Sequence, residues 1–301
     1  MEYRIVIKNP GNDEMGYSFM SLFEVLEQLM DVESGDHLIF DLRNLTFVHP
    51  FLILPLCALL RKAPFPECIV DYHFNGATES YLNTILFPQG FNAPAHPNWN
   101  EYLSRFQTRT YLPICQIPAE VKDTQVRERL LTVFENIMLR QLNISGQMVA
   151  VIKYLIGEAM DNIVDHAEVP NGWIMVQNYP QKRFLDICIL ENGIGLLGSY
   201  QKFNFPDIET DVQSIEQAIN GKSTKQITET RGYGIDTSRR MLVDGLKGKY
   251  FLLSGSAMYI YTSDFEQIVP LERRVKWPGT LLALRIPQTV PVGFNYSNYL
   301  E

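Results

Sequence analysis

Hydrophobic and polar residues alternate along the chain with two periods, one typical of helices and one typical of strands. Apolar positions at helical spacing predict helices over residues 19–30, 50–60, 126–142, 147–167, 212–219 and 235–246. Short apolar or alternating runs predict strands over residues 3–7, 37–42, 68–74, 111–117, 173–177, 184–190, 250–253, 257–262 and 281–286. Strands and helices follow one another in turn within the first ~80 residues, which predicts an α/β fold.

The clearest interruption of this pattern lies over residues 87–100, where Pro88, Gly90, Pro94 and Pro97 predict a loop or linker. At 301 residues the chain is long enough for two domains. We therefore expect an α/β (α+β) protein with a domain at 1–105, a second domain at 106–290 and a tail at 291–301.

Composition narrows the function classes. The net charge is −8 at pH 7, and an acidic surface repels phosphate backbones, which argues against nucleic-acid binding. The four cysteines are scattered without a C-x-x-C pair, as expected for reduced core residues rather than zinc ligands or disulfides. No signal peptide is recognisable, and the longest apolar run, residues 47–60, is too short to span a bilayer. We expect a cytoplasmic protein without a membrane or nucleic-acid partner.

Three polar residues lie along one stripe of the helix at 147–167, for which Ser145 is the expected N-cap. Glu158, Asn162 and Asp165 fall at positions i, i+4 and i+7, beside the apolar face rather than opposite it. A carboxylate at the edge of a core can accept a proton from an attacking hydroxyl, and an amide oxygen can bind Mg²⁺. The alternative is that the stripe is simply the solvated flank of an amphipathic helix.

Two glycine-containing segments and a threonine follow in the second half. The strand at 184–190 leads into E-N-G-I-G at residues 191–195, where the glycines allow a tight turn near a flat ligand. The carboxylate of Glu191 can accept a hydrogen bond from an exocyclic amine such as that of adenine. R-G-Y-G-I at residues 231–235 begins a helix, an arrangement that favours phosphate binding. Thr280 opens the last strand and can reach a buried carboxylate. Each segment alone also fits an ordinary turn, helix start or strand.

Together and in this order, these segments resemble the histidine-kinase-like ATPase family, the GHKL superfamily. The helix motif, E-A-M-D-N-I-V-D-H-A at residues 158–167, is closely similar to the family's asparagine box and nearest to the form found in anti-sigma-factor serine kinases. The resemblance covers roughly residues 110–290. It implies a two-layer α/β sandwich that binds ATP and Mg²⁺.

The resemblance gives each of these residues an expected role. Glu158 matches the general base that orients the attacking water or hydroxyl, and Asn162 matches the Mg²⁺ ligand. Positions beside the phosphates are matched by Asp165, His166, Gly232 and Gly234, and positions beside the adenine are matched by Glu191, Gly193, Gly195 and Thr280.

The family's adenine carboxylate is normally Asp, whereas this chain has Glu191. The extra methylene moves the carboxylate by ~1.5 Å if the strand end stays fixed, so either the turn shifts or the affinity for ATP is modest. The polar stretch at 197–231, a predicted loop with one short helix at 212–219, matches the lid over ATP. Basic side chains there either touch the phosphates or stay solvated: Lys222, Lys225 and Arg231.

The first domain resembles the STAS fold of anti-sigma-factor antagonists, which predicts a mixed sheet with helices. The resemblance rests on the strand at 37–42, then F-V-H-P-F at residues 47–51 and an apolar helix. In that family a serine that opens the helix accepts a phosphoryl group, whereas His49 and Pro50 occupy that place here and offer no hydroxyl. A generic α/β domain is the alternative. We favour a structural role for His49 over that of a phosphoacceptor.

Three functions are compatible with these motifs. The leading one is an ATP- and Mg²⁺-dependent serine/threonine protein kinase of the anti-sigma-factor type in a bacterial partner-switching pathway. Its partner would be a STAS-type antagonist or a sigma-like factor, and a homodimer stays open. The others are an ATP-gated switch or ATPase without transfer to protein, and a non-catalytic nucleotide-binding module. The G-K-S-T at residues 221–224 is not a P-loop, because Glu216 replaces the required glycine. A sensor histidine kinase is disfavoured, because no histidine lies on a helix that resembles a dimerisation hairpin.

Overall fold

The computed structural model describes residues 1–12, 14–142, 146–222, 234–272 and 274–300. Its strands form two sheets, one of three strands and one of eight, and the fold is mixed α/β as predicted. Residues that the sequence analysis names but that lie outside the described residues are Ser145, Ser223, Thr224, Lys225, Arg231, Gly232 and Tyr233.

The smaller sheet lies in the N-terminal part of the chain. It consists of β1 (Glu2–Val6), β2 (His37–Asp41) and β3 (Ile69–His73), in that spatial order. Both of its pairings are parallel, whereas the STAS resemblance predicts a mixed sheet. The chain between the strands forms α1 (Met15–Gln28) and α2 (Pro50–Leu59), and α3 (Gly76–Thr84) follows β3. Such helical connections are needed because a tight hairpin cannot join parallel neighbours.

Eight strands form the larger sheet: β4 (Phe91–Asn92), β5 (Tyr111–Pro118), β6 (Asn171–Tyr179), β7 (Phe184–Glu191), β8 (Lys249–Gly255), β9 (Ala257–Thr262), β10 (Phe265–Pro270) and β11 (Trp277–Pro287). Their spatial order is β10-β9-β8-β11-β7-β6-β5-β4. Every pairing is antiparallel except that of β4 with β5. Because β11 inserts between β7 and β8, Thr280 lies directly opposite Glu191.

The remaining helices are α4 (Trp99–Ser104), α5 (Thr124–Leu142), α6 (Gln147–His166), α7 (Gly195–Lys202), α8 (Asp211–Ile219) and α9 (Gly234–Arg240). A π-helical turn, Met241–Gly245, extends α9, and short 3₁₀ turns occur at Phe65–Glu67, Ala93–Ala95, Arg105–Thr108, Val121–Asp123 and Tyr296–Tyr299. The apolar stripes of α5 and α6 share a core with one face of the larger sheet. Phe134 of α5, Leu155 of α6 and Ile187 of β7 are fully buried there.

The opposite face of the larger sheet is covered by helices of the N-terminal part. Every residue of α2 is buried, as expected for a helix that is apolar all round. This helix contacts β6 and β7 and shares one core with strands of both sheets. The ring of Phe19 in α1 lies 5.7 Å from the ring of Phe251 in β8. We call residues 1–86 the N-terminal half and the remainder the C-terminal half. The two halves therefore meet over a continuous hydrophobic core.

Three segments differ from the sequence predictions. The stretch at 87–100 carries β4 and the start of α4, so the larger sheet begins at Phe91. The chain from Gly195 forms α7, where a loop was expected from residue 197. The edge strand β10 was not predicted. In the described part of the chain, no helix is both long enough and apolar enough to cross a membrane.

Candidate functional site

A cavity of about 430 Å³ lies where α6, the end of β7, the start of β11, α7 and α9 converge. Seven of the predicted site residues line it: Glu158, Asn162, His166, Glu191, Gly195, Gly234 and Thr280. Asp165 and Gly193 are not among the lining residues, and Gly232 lies outside the described residues. The cavity thus joins four segments that are far apart in the sequence.

The helix α6 supplies one wall of the cavity. Its apolar residues, among them Leu155 and Met160, are buried in the core below the larger sheet. Glu158 and Asn162, one helical turn apart, are half-buried and line the cavity beside this apolar face. Asp165, almost one turn further, is exposed and lies outside the cavity. The helix therefore presents a carboxylate and an amide to the cavity.

Glu191 ends β7 and is only 2% exposed. Its carboxylate accepts hydrogen bonds from the Gly193 N–H and from Thr280 on β11. Its backbone oxygen accepts a hydrogen bond from Trp277 Nε1 at 3.2 Å. Burial raises the pKa of Glu191 to about 7, and the hydrogen bonds and the charge of Lys62 limit this rise. These contacts hold the Glu191 side chain at the cavity.

Gly193 allows the turn after β7 to lie against the end of α6. A Cβ atom at this position would lie 1.9 Å from the backbone oxygen of Ala167. The next residue, Ile194, donates a hydrogen bond from its backbone N–H to the same oxygen at 3.2 Å. Gly193 therefore does not line the cavity but fixes the turn that carries Glu191.

The start of α9 approaches the acidic residue of α6. A Cβ atom on Gly234 would lie 2.0 Å from Oε2 of Glu158, so the backbone at this glycine lies against the carboxylate. Tyr250, a fully buried residue of β8, also lines the cavity. Burial raises the pKa of Tyr250, and the charge of Glu158 adds to this rise while Arg239 opposes it.

His166 and Lys222 lie at the side of the cavity formed by α7 and the end of α8. The ring of His166 meets the ring of Phe203 edge-on, with centroids 6.0 Å apart. Lys222, which also lines the cavity, accepts a hydrogen bond on its backbone oxygen from the Tyr200 hydroxyl at 2.5 Å. The Lys222 Nζ lies 5.0 Å from the centroid of the Phe205 ring.

Several lining residues were missed by the sequence analysis: Tyr154, Asp161, Ser199, Tyr200, Thr237 and Leu300. Tyr154 lies four residues before Glu158, so its helical spacing could have revealed it. Ser199 and Tyr200 belong to α7, which was expected to be a loop. Leu300 belongs to the expected tail and carries no motif that would place it here.

The donor set of the cavity bears on metal binding. Among the described residues there is no group of three or more His, Cys, Asp or Glu side chains that could hold a metal ion. A hard cation that keeps several waters and shares its shell with phosphate oxygens needs only one or two protein ligands. The amide oxygen of Asn162 fits such an ion, because its side chain faces the cavity.

Comparison with models of known protein families finds no match for this chain. Comparison with curated proteins finds no match either. The resemblance to the histidine-kinase-like ATPases therefore rests on the order and spacing of the motifs. To this the structure adds the cavity that seven of their residues share.

Proposed function

We propose that the cavity binds ATP with Mg²⁺ and that the protein transfers the γ-phosphoryl group to a serine or threonine of a protein partner. The observation that carries this proposal is the shared cavity of Glu158, Asn162, Glu191 and Gly234. Its volume of about 430 Å³ lies within the usual range of small-molecule sites, roughly 300–1,000 Å³.

Different lining residues suit different parts of a nucleotide. The carboxylate of Glu191, which accepts a hydrogen bond from Thr280, can accept another from the exocyclic amine of adenine. Asn162 would hold Mg²⁺, which supplies positive charge to the phosphates when bound.

We assign the proton transfer to Glu158. Its carboxylate is half-buried and lies against the backbone at Gly234. In the proposed reaction it accepts the proton of the attacking hydroxyl, while backbone groups around Gly234 orient the group that is attacked. The alternative in which water is the acceptor makes the protein an ATPase and uses the same two residues.

We further propose a cytoplasmic location and a regulatory protein partner, either a STAS-type antagonist or a sigma-like factor, with a homodimer as one form of assembly. The buried position of His49, which is 3% exposed and lies with its ring 4.7 Å from that of Phe47, fits a structural role rather than a phosphoacceptor. We therefore propose that the hydroxyl that accepts the phosphoryl group belongs to another protein.

Calorimetric titration of MgATP into the wild type and Asn162→Ala tests the binding site. We expect heat from the wild type and a loss of binding in the variant, with exposed Asn136→Ala on α5 as the matched control. Equal heats from wild type and Asn162→Ala would contradict the metal assignment, and no heat from the wild type would contradict nucleotide binding.

Incubation with γ-labelled ATP and candidate partners tests the reaction. We expect label on the partner with the wild type, none with Glu158→Gln, and wild-type labelling with exposed Glu128→Gln on α5. Label found only as free phosphate would favour the ATPase or switch. ATP binding without any turnover would favour a non-catalytic module.

A further inference from the structure

The turn that follows β7 makes two hydrogen bonds with the N-terminal half of the chain. Lys62, just after α2, donates from Nζ to the backbone oxygen of Asn192 at 2.6 Å. Asn192 returns a hydrogen bond from Nδ2 to the backbone oxygen of Ala58 at 3.0 Å. Since Asn192 directly follows Glu191, both contacts lie one residue away from the carboxyl group at the cavity.

The chemistry of both bonds favours a fixed geometry. Ala58 lies in the last turn of α2, where carbonyl groups have lost their regular helical partners and accept from other donors. Lys62 carries its charge into a partly buried position. Burial lowers the pKa of Lys62, the charge of Glu191 opposes this lowering, and Lys276 adds to it. The lysine and the glutamate therefore stabilise each other's charged forms.

Other polar contacts also join the two halves, among them those of Tyr81 with Gln177, Glu14 with Lys249 and Asp31 with Arg274. The centre of the contact is an apolar core. Phe19 and the residues of α2 other than its two prolines belong to one core with Trp173 and Leu190 of the larger sheet. Burial of this core, rather than two hydrogen bonds, holds the halves together. Removal of the lysine charge thus leaves the halves docked and acts on the turn at 191–195.

We propose that Lys62 and Asn192 form a clasp between the two halves that positions the Glu191 carboxylate for recognition of the nucleotide base. This inference rests on the proposed function of the cavity. Lys62 is a positioning residue in it, since it acts through the turn and does not line the cavity. The N-terminal half thereby becomes part of the nucleotide site.

A thermodynamic consequence follows for the N-terminal half. A partner that moves the end of α2 changes the position of Glu191 and so changes nucleotide affinity. Linkage requires the reverse with equal strength, so bound nucleotide tightens the contact between Lys62 and Asn192. The clasp therefore couples whatever the N-terminal half binds to the occupancy of the cavity.

Affinities for ATP and ITP measured on the full chain test this inference. ITP has a carbonyl oxygen where ATP has the exocyclic amine, so the ratio of the two affinities reports the contact made by Glu191. We expect Lys62→Met to lower the preference for ATP over ITP by about tenfold, the size of one charge-assisted hydrogen bond. A general loss of structure would instead weaken both nucleotides equally.

Lys276→Met is the matched control, because Lys276 is an exposed lysine whose charge also acts on Lys62. It should keep the wild-type ratio, and Lys62→Arg should restore much of it. Asn192→Ala removes the bond to Ala58 and should act like Lys62→Met, which keeps the test decisive if the lysine variant fails to fold. An equal effect of Lys276→Met would show that charge alone matters and overturn the clasp.

Different results would overturn the clasp and the proposed function. An unchanged ratio in both Lys62→Met and Asn192→Ala, together with loss of MgATP binding in Asn162→Ala, would overturn the clasp and leave the proposed function intact. A wild type that binds neither nucleotide would overturn the proposed function, and the clasp with it.

Discussion

Gly234 and Glu158 approach each other so closely that a Cβ atom on Gly234 would lie 2.0 Å from the Glu158 Oε2. The obstructing atom is the far end of a flexible side chain, so an alanine at position 234 moves the carboxylate rather than the backbone. The substitution therefore changes the position of the proposed general base at little cost in stability.

We expect Gly234→Ala to fold normally and to reduce phosphoryl transfer or hydrolysis by about 100-fold, because misplacement of a reacting group by ~1 Å has effects of this size. Steady-state kinetics and thermal unfolding measure the two properties. Gly16→Ala, in α1 with open space around its Cβ position, should leave activity unchanged. Full activity in Gly234→Ala would show that Glu158 does not act on the proton.

Gly193→Ala, unlike Gly234→Ala, should lower the stability of the protein. Its Cβ atom would meet the backbone oxygen of Ala167 at 1.9 Å, and a backbone atom cannot move aside at low cost. We expect loss of stability together with weaker ATP binding, because the turn that donates to the Glu191 carboxylate is displaced. Thermal unfolding and calorimetry check both effects, and an unchanged melting temperature would contradict the tight fit.

Nucleotide binding should depend on pH through Glu191. Its pKa is about 7 because the carboxyl group is buried, and only the ionised form accepts a hydrogen bond from an amine through both oxygens. We expect affinity for ATP to rise as pH increases through about 7. Glu191→Gln should remove this dependence, and an identical pH profile in the variant would assign the titration to another group.

Glu191 should also make folding stability depend on pH, with stability falling as pH rises while ATP affinity increases. Folding raises the pKa of Glu191 from 4.5 to about 7, so the folded protein holds this proton more tightly than the unfolded chain. The stability that the proton provides is complete below about pH 4.5 and is lost as pH rises through about 7. Denaturant unfolding of the wild type and Glu191→Gln across this range should show the difference.

Arg285 and Asp186 form a buried ion pair between β11 and β7, with two hydrogen bonds of 2.8 Å. The side chains are 8% and 0% exposed. We expect Arg285→Met to destabilise the protein by about 3 kcal/mol, because it leaves a buried carboxylate without its guanidinium. The double variant Arg285→Met/Asp186→Leu should recover much of this loss in denaturant unfolding, and a double variant no more stable than the single one would contradict this account.

The sequence predicted best what depends on local periodicity. The apolar positions of α6 specify both the helix and the stripe that holds Glu158 and Asn162, so the wall of the cavity could be predicted from residues 147–167 alone. Thr280 lies opposite Glu191 because β11 pairs with β7 in the larger sheet. That pairing joins residues 89 positions apart, and the motif order alone suggested it.

The errors arose where tertiary contacts overrule local preference. Gly195, Gly198 and Ser199 are poor helix formers, yet the chain there forms α7, since Tyr200 is buried. The strand β10 lies at the sheet edge with its first residue, Phe265, 47% exposed, so no apolar alternation marks it. The parallel order of the smaller sheet likewise depends on how its helices dock.

The burial of α2 between two sheets has a consequence for any attempt to divide this protein. A fragment ending near residue 86 would expose the apolar surface of that helix to water. A fragment beginning there would expose the apolar face of β6 and β7 that the helix covers. Each piece would tend to aggregate. We therefore expect the two halves to unfold together in one cooperative transition, and neither half to fold when it is moved alone into another protein.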